Sequence, residues 1–371
     1  MTGPKLTELS HALPSSVPFV GPEAQERARG QTFRARLGAN ENAFGPSPKA
    51  LDAMREAAAH VWKYGDPVNH DLKQALAEHY NIAAGTVVVG EGIDGLLGDL
   101  VRLFVTAGDA VVTSDGAYPT FNFHVTGYGG HIHLVPYRKD HEDSVALAEM
   151  AHEVGAKLVY LANPDNPMGT LLPASAILTM LEAIPNDCLL VLDEAYVEFA
   201  PEHSTLPADF THPNLIRMRT FSKAYGMAGA RIGYAIAPEW IANAFDKVRN
   251  HFGVNLVAQA GARAALADQS ALADILQKTE AAKHQIAEIG SQNGLLALPS
   301  ATNFVCLDCS VVGADARATL SNLSDAGIFV RMPFVPPGDR CIRVSAGPAA
   351  EIALFGEALP KAIALAKASP A

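Results

Sequence analysis

The sequence lacks the features that mark a membrane protein, a nucleic-acid-binding protein or a disulfide-stabilised secreted protein. Its apolar runs are strand-sized, far below the roughly 20 residues of a membrane span. No basic block offsets a formal net charge of -11, so we expect neither a membrane nor a nucleic acid as partner. Residues 1–8 lack the apolar core of a signal peptide. These absences predict a soluble, cytoplasmic protein.

Cysteine is also scarce, since 371 residues contain only 4, too few for a disulfide framework. Cys306 and Cys309 form a CxxC within an apolar, strand-like run, and the sequence has no second pair. A structural zinc site takes four ligands. We therefore expect a buried structural pair and no metal site.

Short apolar strands and helix-length segments alternate along most of the chain. The predicted strands of the first part are 86–89, 110–113, 132–135, 157–161, 189–192, 214–218 and 232–236. This alternation predicts an α/β fold with a mostly parallel central sheet flanked by helices. An alanine-rich helical region from 258, followed by strands at 304–307, 328–331 and 341–344, predicts a smaller C-terminal α/β domain. We divide the chain into an N-terminal arm (1–37), a large domain (38–257) and a small domain (258–371).

Residues 90–95, Gly-Glu-Gly-Ile-Asp-Gly, fit the G-x-G-x-x-G fingerprint of a nicotinamide-dependent dehydrogenase, and Asp115 lies where a ribose-binding acid is expected. However, that fingerprint usually opens its domain, whereas here helices precede it. Asp115 is also followed by Gly116-Ala-Tyr-Pro119, which indicates a turn. A glycine turn before a helix still offers backbone N–H groups to one phosphate. We keep the phosphate site and reject the dinucleotide.

A lysine at position 223 lies among small residues and possible phosphate donors. Thr220 and Ser222 precede Lys223, and Arg231 follows it by eight residues. A lysine that bonds covalently to a carbonyl compound must reach its neutral form, which burial and nearby cations favour. Hydroxyl and guanidinium groups together suit a phosphate. The segment therefore predicts a reactive lysine beside a phosphate site.

Two further segments place polar side chains after apolar strands. Asp193 ends the strand 189–192, and the carboxyl ends of parallel strands are where α/β folds keep their sites. A carboxylate there keeps a pyridine nitrogen protonated, and Tyr196 is close enough in sequence to donate to a ring oxygen. Residues 161–169, Leu-Ala-Asn-Pro-Asp-Asn-Pro-Met-Gly, form a rigid turn that aims an asparagine into the cleft.

Together these segments resemble the fold-type I pyridoxal-phosphate-dependent aminotransferases, specifically the histidinol-phosphate aminotransferase branch. The resemblance extends over nearly the whole chain after residue 37 and includes residues 37–48, 63–67, 327–331 and 341–347. It implies a pyridoxal 5'-phosphate cofactor, an amino donor and a keto acid as substrates, and a homodimer with shared sites.

The resemblance also implies a role for each matching residue. Lys223 binds the cofactor covalently and moves the substrate Cα proton. The other implied cofactor contacts are Asp193 at the pyridine nitrogen, Asn166 and Tyr196 at the ring oxygen, Phe121 stacked on the ring, and Ile93, Asp94, Ser222 and Arg231 at the phosphate. Tyr64 reaches the phosphate in the partner subunit. Arg343 binds the donor carboxylate, and Arg331, with Asn166 nearby, belongs to the pocket for the substrate phosphate.

The chain departs from the family pattern at four positions, where Phe44, Gly65, Gly95 and Met168 replace tyrosine, proline, glutamate and threonine. These changes affect substrate recognition more than the cofactor residues. Histidinol phosphate and 2-oxoglutarate are the default substrate pair. The alternatives are an amino-acid or phosphothreonine decarboxylase of the same fold, a nicotinamide-dependent dehydrogenase, and a non-catalytic ligand sensor. The sensor would need a DNA-binding segment, for which the arm has no room.

Overall fold

The computed structural model describes residues 3–14 and 20–368. Its strands are β1 Ala35–Arg36, β2 Val87–Gly90, β3 Ala110–Ser114, β4 His131–Val135, β5 Leu158–Ala162, β6 Leu189–Asp193, β7 Leu215–Thr220, β8 Gly233–Ile236, β9 Leu296–Ala297, β10 Phe304–Asp308, β11 Ile328–Phe329 and β12 Cys341–Ser345. Its helices are α1 Glu8–Ala12, α2 Pro22–Arg29, α3 Pro48–Ala58, α4 His70–Tyr80, α5 Gly92–Phe104, α6 Pro119–Gly127, α7 Ser144–Val154, α8 Ala174–Ala183, α9 Glu239–Ala244, α10 Leu256–Ala267, α11 Gln269–Gln292, α12 Ala316–Asp325 and α13 Ala349–Ala368. Short 3-10 turns lie at Ala84–Thr86, Val197–Phe199, Ala228–Ala230, Phe245–Lys247, Ser310–Val312 and Gly338–Arg340.

The large domain is built on a seven-stranded sheet in the order β2-β8-β7-β6-β5-β3-β4. Strands β3 to β7 pair in parallel, and β8 runs antiparallel to both of its neighbours. Every residue of β5, β6 and β7 is buried, because apolar clusters cover both faces of the sheet. The predicted mostly parallel sheet is confirmed.

The small domain contains the antiparallel sheet β12-β10-β9 and helices α11 to α13, which share one apolar core. The strand β1 belongs to this domain as well, because it pairs in parallel with β11. Ala35 and Leu37 are buried in the same core. The last residues of the predicted N-terminal arm are therefore part of the small domain.

Helix α10 packs with the large domain. Ala258, Ala262 and Ala265 are buried in one cluster with Ala50 of α3 and Leu76 of α4. The predicted boundary at 257/258 assigns this helix to the small domain, whereas its apolar face is covered by the large one. The start of α11 lies against the same cluster through Leu272.

The four cysteines are free and buried, as expected for Cys306 and Cys309. In the described part of the chain, no group of three or more His, Cys, Asp or Glu side chains is placed to hold a metal ion. Among the same residues, no helix combines the length and the apolar character needed to cross a membrane.

Candidate active site

A cavity of about 340 Å³ lies at the carboxyl ends of β5 and β6, between the large sheet and the small domain. This is the edge at which parallel α/β sheets bind their ligands. All the predicted site residues except Phe121 and Tyr64 line it, namely Ile93, Asp94, Asn166, Asp193, Tyr196, Ser222, Lys223, Arg231, Arg331 and Arg343.

Lys223 follows β7 by three residues, so the strand carries its side chain into the cavity. Its Nζ donates a hydrogen bond to the backbone oxygen of Asn40 at 3.0 Å and lies 5.6 Å from the centre of the Tyr196 ring. Burial, reinforced by the charge of Arg343, lowers the pKa of the Lys223 ammonium to about 8. The neutral, nucleophilic amine is therefore accessible near physiological pH.

Asp193 is the last residue of β6 and is 5% exposed. Its Oδ2 accepts from the Tyr160 hydroxyl at 2.6 Å, and its Oδ1 accepts from the backbone N–H of Ala195 at 2.9 Å. Burial raises the pKa of the Asp193 carboxyl, although these two hydrogen bonds and the charge of Lys223 oppose the rise. The carboxyl is thus fixed in orientation and suited to hold a cationic N–H group beside it.

Asn40 connects the two domains at the lysine, a role that the sequence analysis missed. Its Nδ2 donates to the Tyr196 hydroxyl at 3.1 Å, and its Oδ1 accepts from the Ser345 hydroxyl of β12 at 2.9 Å. Asn40 has a φ of 53°, a left-handed conformation that asparagine adopts more readily than most residues. The sequence motif at 37–48 includes Asn40, but only the fold shows which side chains Asn40 contacts.

Tyr196 is buried, and this burial raises the pKa of its phenol to about 12. The phenol therefore keeps its proton at neutral pH. With Asn40 donating to its oxygen, the Tyr196 hydroxyl has its own proton available for a neighbouring acceptor. The Tyr196 hydroxyl can therefore act as a hydrogen-bond donor in the cavity.

The first turn of α5 faces the cavity and Arg231. Gly92 has a φ of +76°, and a Cβ placed there would lie 2.6 Å from Arg231 Nη2. Arg231 Nη1 in turn donates to the Ser222 hydroxyl at 3.4 Å. The start of α5 has no side-chain cap, and Ile93 and Asp94 line the cavity there. The N-terminus of α5, the Ser222 hydroxyl and the Arg231 guanidinium together form an anion cradle. The absence of a side chain at Gly92 leaves room for the guanidinium.

Two arginines approach the cavity from the small domain. Arg343 Nη1 donates to Asn166 Oδ1 at 2.5 Å, while its buried Nε has no hydrogen-bond partner among the described residues. Arg331 Nη2 donates to the backbone oxygen of Val20 at 2.7 Å. The two arginines are joined through reciprocal backbone hydrogen bonds. They supply fixed positive charge on the small-domain side of the cavity.

The structure places Phe121, for which a ring-stacking role is predicted, outside the lining of the cavity. Phe121 is fully buried and stacks on Tyr160 with ring centres 4.7 Å apart. Helix α6 begins at Pro119 and turns Phe121 towards the sheet, whereas Tyr118, just before the helix, lines the cavity. Tyr118 is therefore the aromatic residue of this segment that lines the cavity. Tyr64 is 80% exposed and lies outside the cavity of its own chain.

Comparison with known proteins places this geometry in a family. The family model for class I and II aminotransferases matches residues 35–359. Histidinol-phosphate aminotransferase 2 of Pseudomonas fluorescens is 37% identical over 334 residues, which cover 89% of each chain. The enzyme of the same name from Carboxydothermus hydrogenoformans is 34% identical over 343 residues, covering 91% of this chain and 94% of the relative.

A solved structure is similar over almost its full length. The crystal structure of histidinol-phosphate aminotransferase from Sinorhizobium meliloti in complex with pyridoxal-5'-phosphate is 52% identical, with a TM-score of 0.93, and covers 97% of this chain and 98% of that chain. This chain belongs to the class I and II aminotransferases. It is a pyridoxal-phosphate-dependent transaminase of fold type I.

The site and the relatives favour an aminotransferase over the dehydrogenase and the decarboxylase that the sequence left open. Residues 90–95 do join a strand to a helix, since Gly90 ends β2 and Gly92 begins α5. However, Ile93 and Asp94 share their cavity with Lys223 and Asp193, which a nicotinamide-dependent dehydrogenase leaves without roles. The relatives described above are named as aminotransferases rather than decarboxylases.

Proposed function

We propose that this aminotransferase exchanges an amino group between histidinol phosphate and 2-oxoglutarate. The observation that carries the proposal is the convergence of Lys223, Asp193, Arg343 and Arg331 on one cavity. The lysine and the carboxyl suit pyridoxal phosphate, and the two arginines suit a substrate pair with both carboxylate and phosphate groups. The substrate named for the relatives supports histidinol phosphate as one of that pair.

Pyridoxal phosphate fits the polar groups at both ends of the cavity. At one end, Asp193 would hold the ring nitrogen, and Asn166 and Tyr196 would contact the ring oxygen, with Tyr118 against the ring face. At the other end, the start of α5 forms the anion cradle. When bound, the cofactor supplies an electron sink for the electrons released at the substrate Cα.

The phosphate of the cofactor is proposed to lie in that cradle. Its expected donors are the backbone N–H groups of Ile93 and Asp94 together with the side chains of Ser222 and Arg231. The Asp94 carboxylate would repel a phosphate, but its Oδ1 is hydrogen-bonded to His124 Nε2 at 2.9 Å. This contact draws the acid towards α6 and leaves its backbone N–H for the anion.

Lys223 is proposed to bind the cofactor and to move the proton at the substrate Cα. Both tasks require the neutral amine, which burial and the charge of Arg343 favour by lowering the lysine pKa. The Asn40 carbonyl accepts from Nζ and so orients the amine within the cavity. Asp193 would keep the ring nitrogen protonated in the same arrangement.

Arg343 and Arg331 are proposed to divide the recognition of the substrates. Arg343 would pair with the α-carboxylate of the amino donor, since Asn166 fixes one end of its guanidinium and its Nε is free of other partners among the described residues. Arg331 would meet the substrate phosphate. Phe44 packs against the small-domain core and supplies no hydroxyl, so we expect phosphate recognition to depend strongly on Arg331.

A homodimer is proposed from an exposed aromatic surface. The exposed fractions of Val61, Trp62, Tyr64 and Phe252 are 64%, 81%, 80% and 52%, and the Tyr64 and Phe252 ring centres lie 4.7 Å apart. Apolar surface of this kind usually marks a protein interface. We propose that a second copy covers it and that Tyr64 reaches the cofactor phosphate in the partner subunit. The cytoplasmic location stays a prediction.

The proposal is tested by a screen of amino donors, read from the change in the visible spectrum of the purified enzyme. Histidinol phosphate and glutamate should both react. The variant Arg331→Gln should lower kcat/KM for histidinol phosphate and leave the glutamate half-reaction close to wild type. A screen in which other amino acids react and histidinol phosphate does not would refute the substrate assignment, and release of carbon dioxide would indicate a decarboxylase.

A further inference from the structure

Two buried carboxyl groups lie behind the cavity and have no role in the function proposed above. Glu142 is 3% exposed and Asp165 is 2% exposed. Glu142 lies just before α7, and Asp165 immediately precedes Asn166 in the turn after β5. The two side chains lie close enough to interact with each other through a hydrogen bond.

Glu142 ties together the ends of two parallel strands. Its Oε1 accepts from the backbone N–H of Ala162 at 2.9 Å, and its Oε2 accepts from the Ser114 hydroxyl at 2.5 Å. Ala162 ends β5 and Ser114 ends β3. Glu142 is therefore anchored to the sheet at the edge where the cavity opens.

Asp165 closes the turn that carries Asn166. Its Oδ2 accepts from the backbone N–H of Met168 at 3.0 Å, and its Oδ1 accepts from the Tyr137 hydroxyl at 2.9 Å. Asn166 then accepts from Arg343. A continuous set of hydrogen bonds thus leads from the sheet edge through both carboxyl groups to the turn that meets the arginine.

A hydrogen bond between two carboxyl groups requires a proton, because an ionised carboxylate only accepts. Burial, together with the repulsion of two like charges at this range, favours a single negative charge on the pair. Burial raises the pKa of Asp165 to about 7 and that of Glu142 well above its usual range. The titratable or charged groups that face the pair are Tyr137, Tyr160, Tyr196, Cys306 and Arg343.

We propose that Glu142 and Asp165 are positioning residues that share one proton, and that this pair holds Asn166, and through it Arg343, in place for the substrate carboxylate. Loss of the proton leaves two adjacent negative charges and weakens the closure of the turn. The inference rests on the proposed role of Arg343.

The shared proton is tested by the pH dependence of unfolding of the holoenzyme. Glutamine at position 142 keeps an acceptor for Ala162 and a donor for Asp165 but has no titratable proton. Because the pKa of Glu142 is raised in the folded state, the folded wild type retains a proton that the unfolded chain loses. The stability of the wild type therefore falls as pH rises from about 4.5 towards the folded-state pKa of Glu142. Relative to E142Q, the wild-type folding equilibrium constant should fall by up to about tenfold per pH unit in this window. If the stability of wild type and of E142Q changed equally with pH, the proposal that the two carboxyl groups share a proton would be wrong.

The positioning role is tested by the kinetic constants for 2-oxoglutarate. We expect Glu142→Leu to raise KM at least tenfold with a smaller change in kcat, and Glu142→Gln to stay within about threefold of wild type. A wild-type KM in E142L would overturn the positioning role. If circular dichroism shows that E142L does not fold, Tyr137→Phe replaces it, because this variant removes one hydrogen-bond donor to Asp165. We expect Tyr137→Phe to raise the KM for 2-oxoglutarate a few-fold. An unchanged KM in this variant would equally contradict the positioning role. An unchanged KM in Arg343→Lys would instead refute the carboxylate site, while leaving the pH result standing.

Discussion

Replacing Gly92 by alanine tests whether the start of α5 is built to hold a phosphate. An added Cβ would lie 2.6 Å from Arg231 Nη2 and 3.2 Å from its Cζ, so the guanidinium must move. Gly92 also has a φ of +76°, a conformation that alanine adopts only under strain. The substitution therefore perturbs the backbone and the Arg231 side chain at once.

These two effects appear in different measurements. The left-handed backbone costs alanine about 1–2 kcal/mol, which lowers the free energy of unfolding. Displacing Arg231 removes a charge-assisted hydrogen bond to the phosphate, a loss of about 1.5–3 kcal/mol. Since about 1.4 kcal/mol corresponds to a tenfold change in affinity, we expect pyridoxal phosphate to bind roughly 10- to 150-fold more weakly.

Titration of the apoenzyme with pyridoxal phosphate, followed at its visible band, measures this affinity. Gly127→Ala is the matched control, because a Cβ at this last residue of α6 meets nothing within 4 Å. In an Arg231→Gln background, Gly92→Ala should cause little further loss of affinity, since the displaced group is already gone. Wild-type affinity in Gly92→Ala, or fully additive losses in the double variant, would refute the reasoning.

Four further predictions concern the lysine, the aspartate and the carboxylate arginine. Lys223→Ala should retain the cofactor non-covalently but lose about 100- to 10,000-fold in turnover, and borohydride should fix the cofactor to Lys223 in wild type only, as read by mass analysis. The lowered pKa of Lys223 implies that the unfolded chain binds one more proton than the native apoenzyme between pH 8 and 10.5. The free energy of unfolding of the wild-type apoenzyme should therefore rise over that range by up to about 1.4 kcal/mol per pH unit more than that of Lys223→Met. Thermal unfolding measured at several pH values tests this, and an equal pH dependence in the two proteins would contradict it. Asp193→Asn should fold and lose most of its turnover, because the ring nitrogen is no longer held protonated. A near-wild-type kcat would mean that Asp193 has no role in catalysis. Arg343→Lys should keep the cofactor spectrum and weaken glutamate use by about 1–3 kcal/mol, whereas unchanged half-reaction kinetics would move the carboxylate site to Arg331.

The sheet and the core of the site were predictable because their signals are local. Apolar runs of four or five residues match β2 to β8 within one or two residues at each end. Once the sheet is parallel, the polar residues that follow β5, β6 and β7 must meet at one edge, which brings Asn166, Asp193 and Lys223 together.

The parts that sequence reasoning missed depend on packing between distant elements. The motif around Tyr118 and Phe121 offers two aromatic rings, and only the start of α6 at Pro119 decides which one faces the cavity. An alanine-rich helix has the same composition in either domain, so the sequence does not indicate which domain α10 packs against. The bonds of Asn40 to both domains have no local signature at all.

The pairing of β1 with β11 also bears on how the chain reaches its native state. Ala35 and Ile328 are partners, although most of the chain separates them, and contacts of such high sequence separation form slowly. During synthesis the N-terminal segment emerges early and waits for its partner strand until nearly all of the polypeptide is made. Asn40 follows β1 closely and contacts both Lys223 and Ser345. A nascent chain that ends before β12 would therefore contain both Asn40 and Lys223 but not Ser345, so the residue that contacts the reactive amine would lack its hydrogen bond to the small domain.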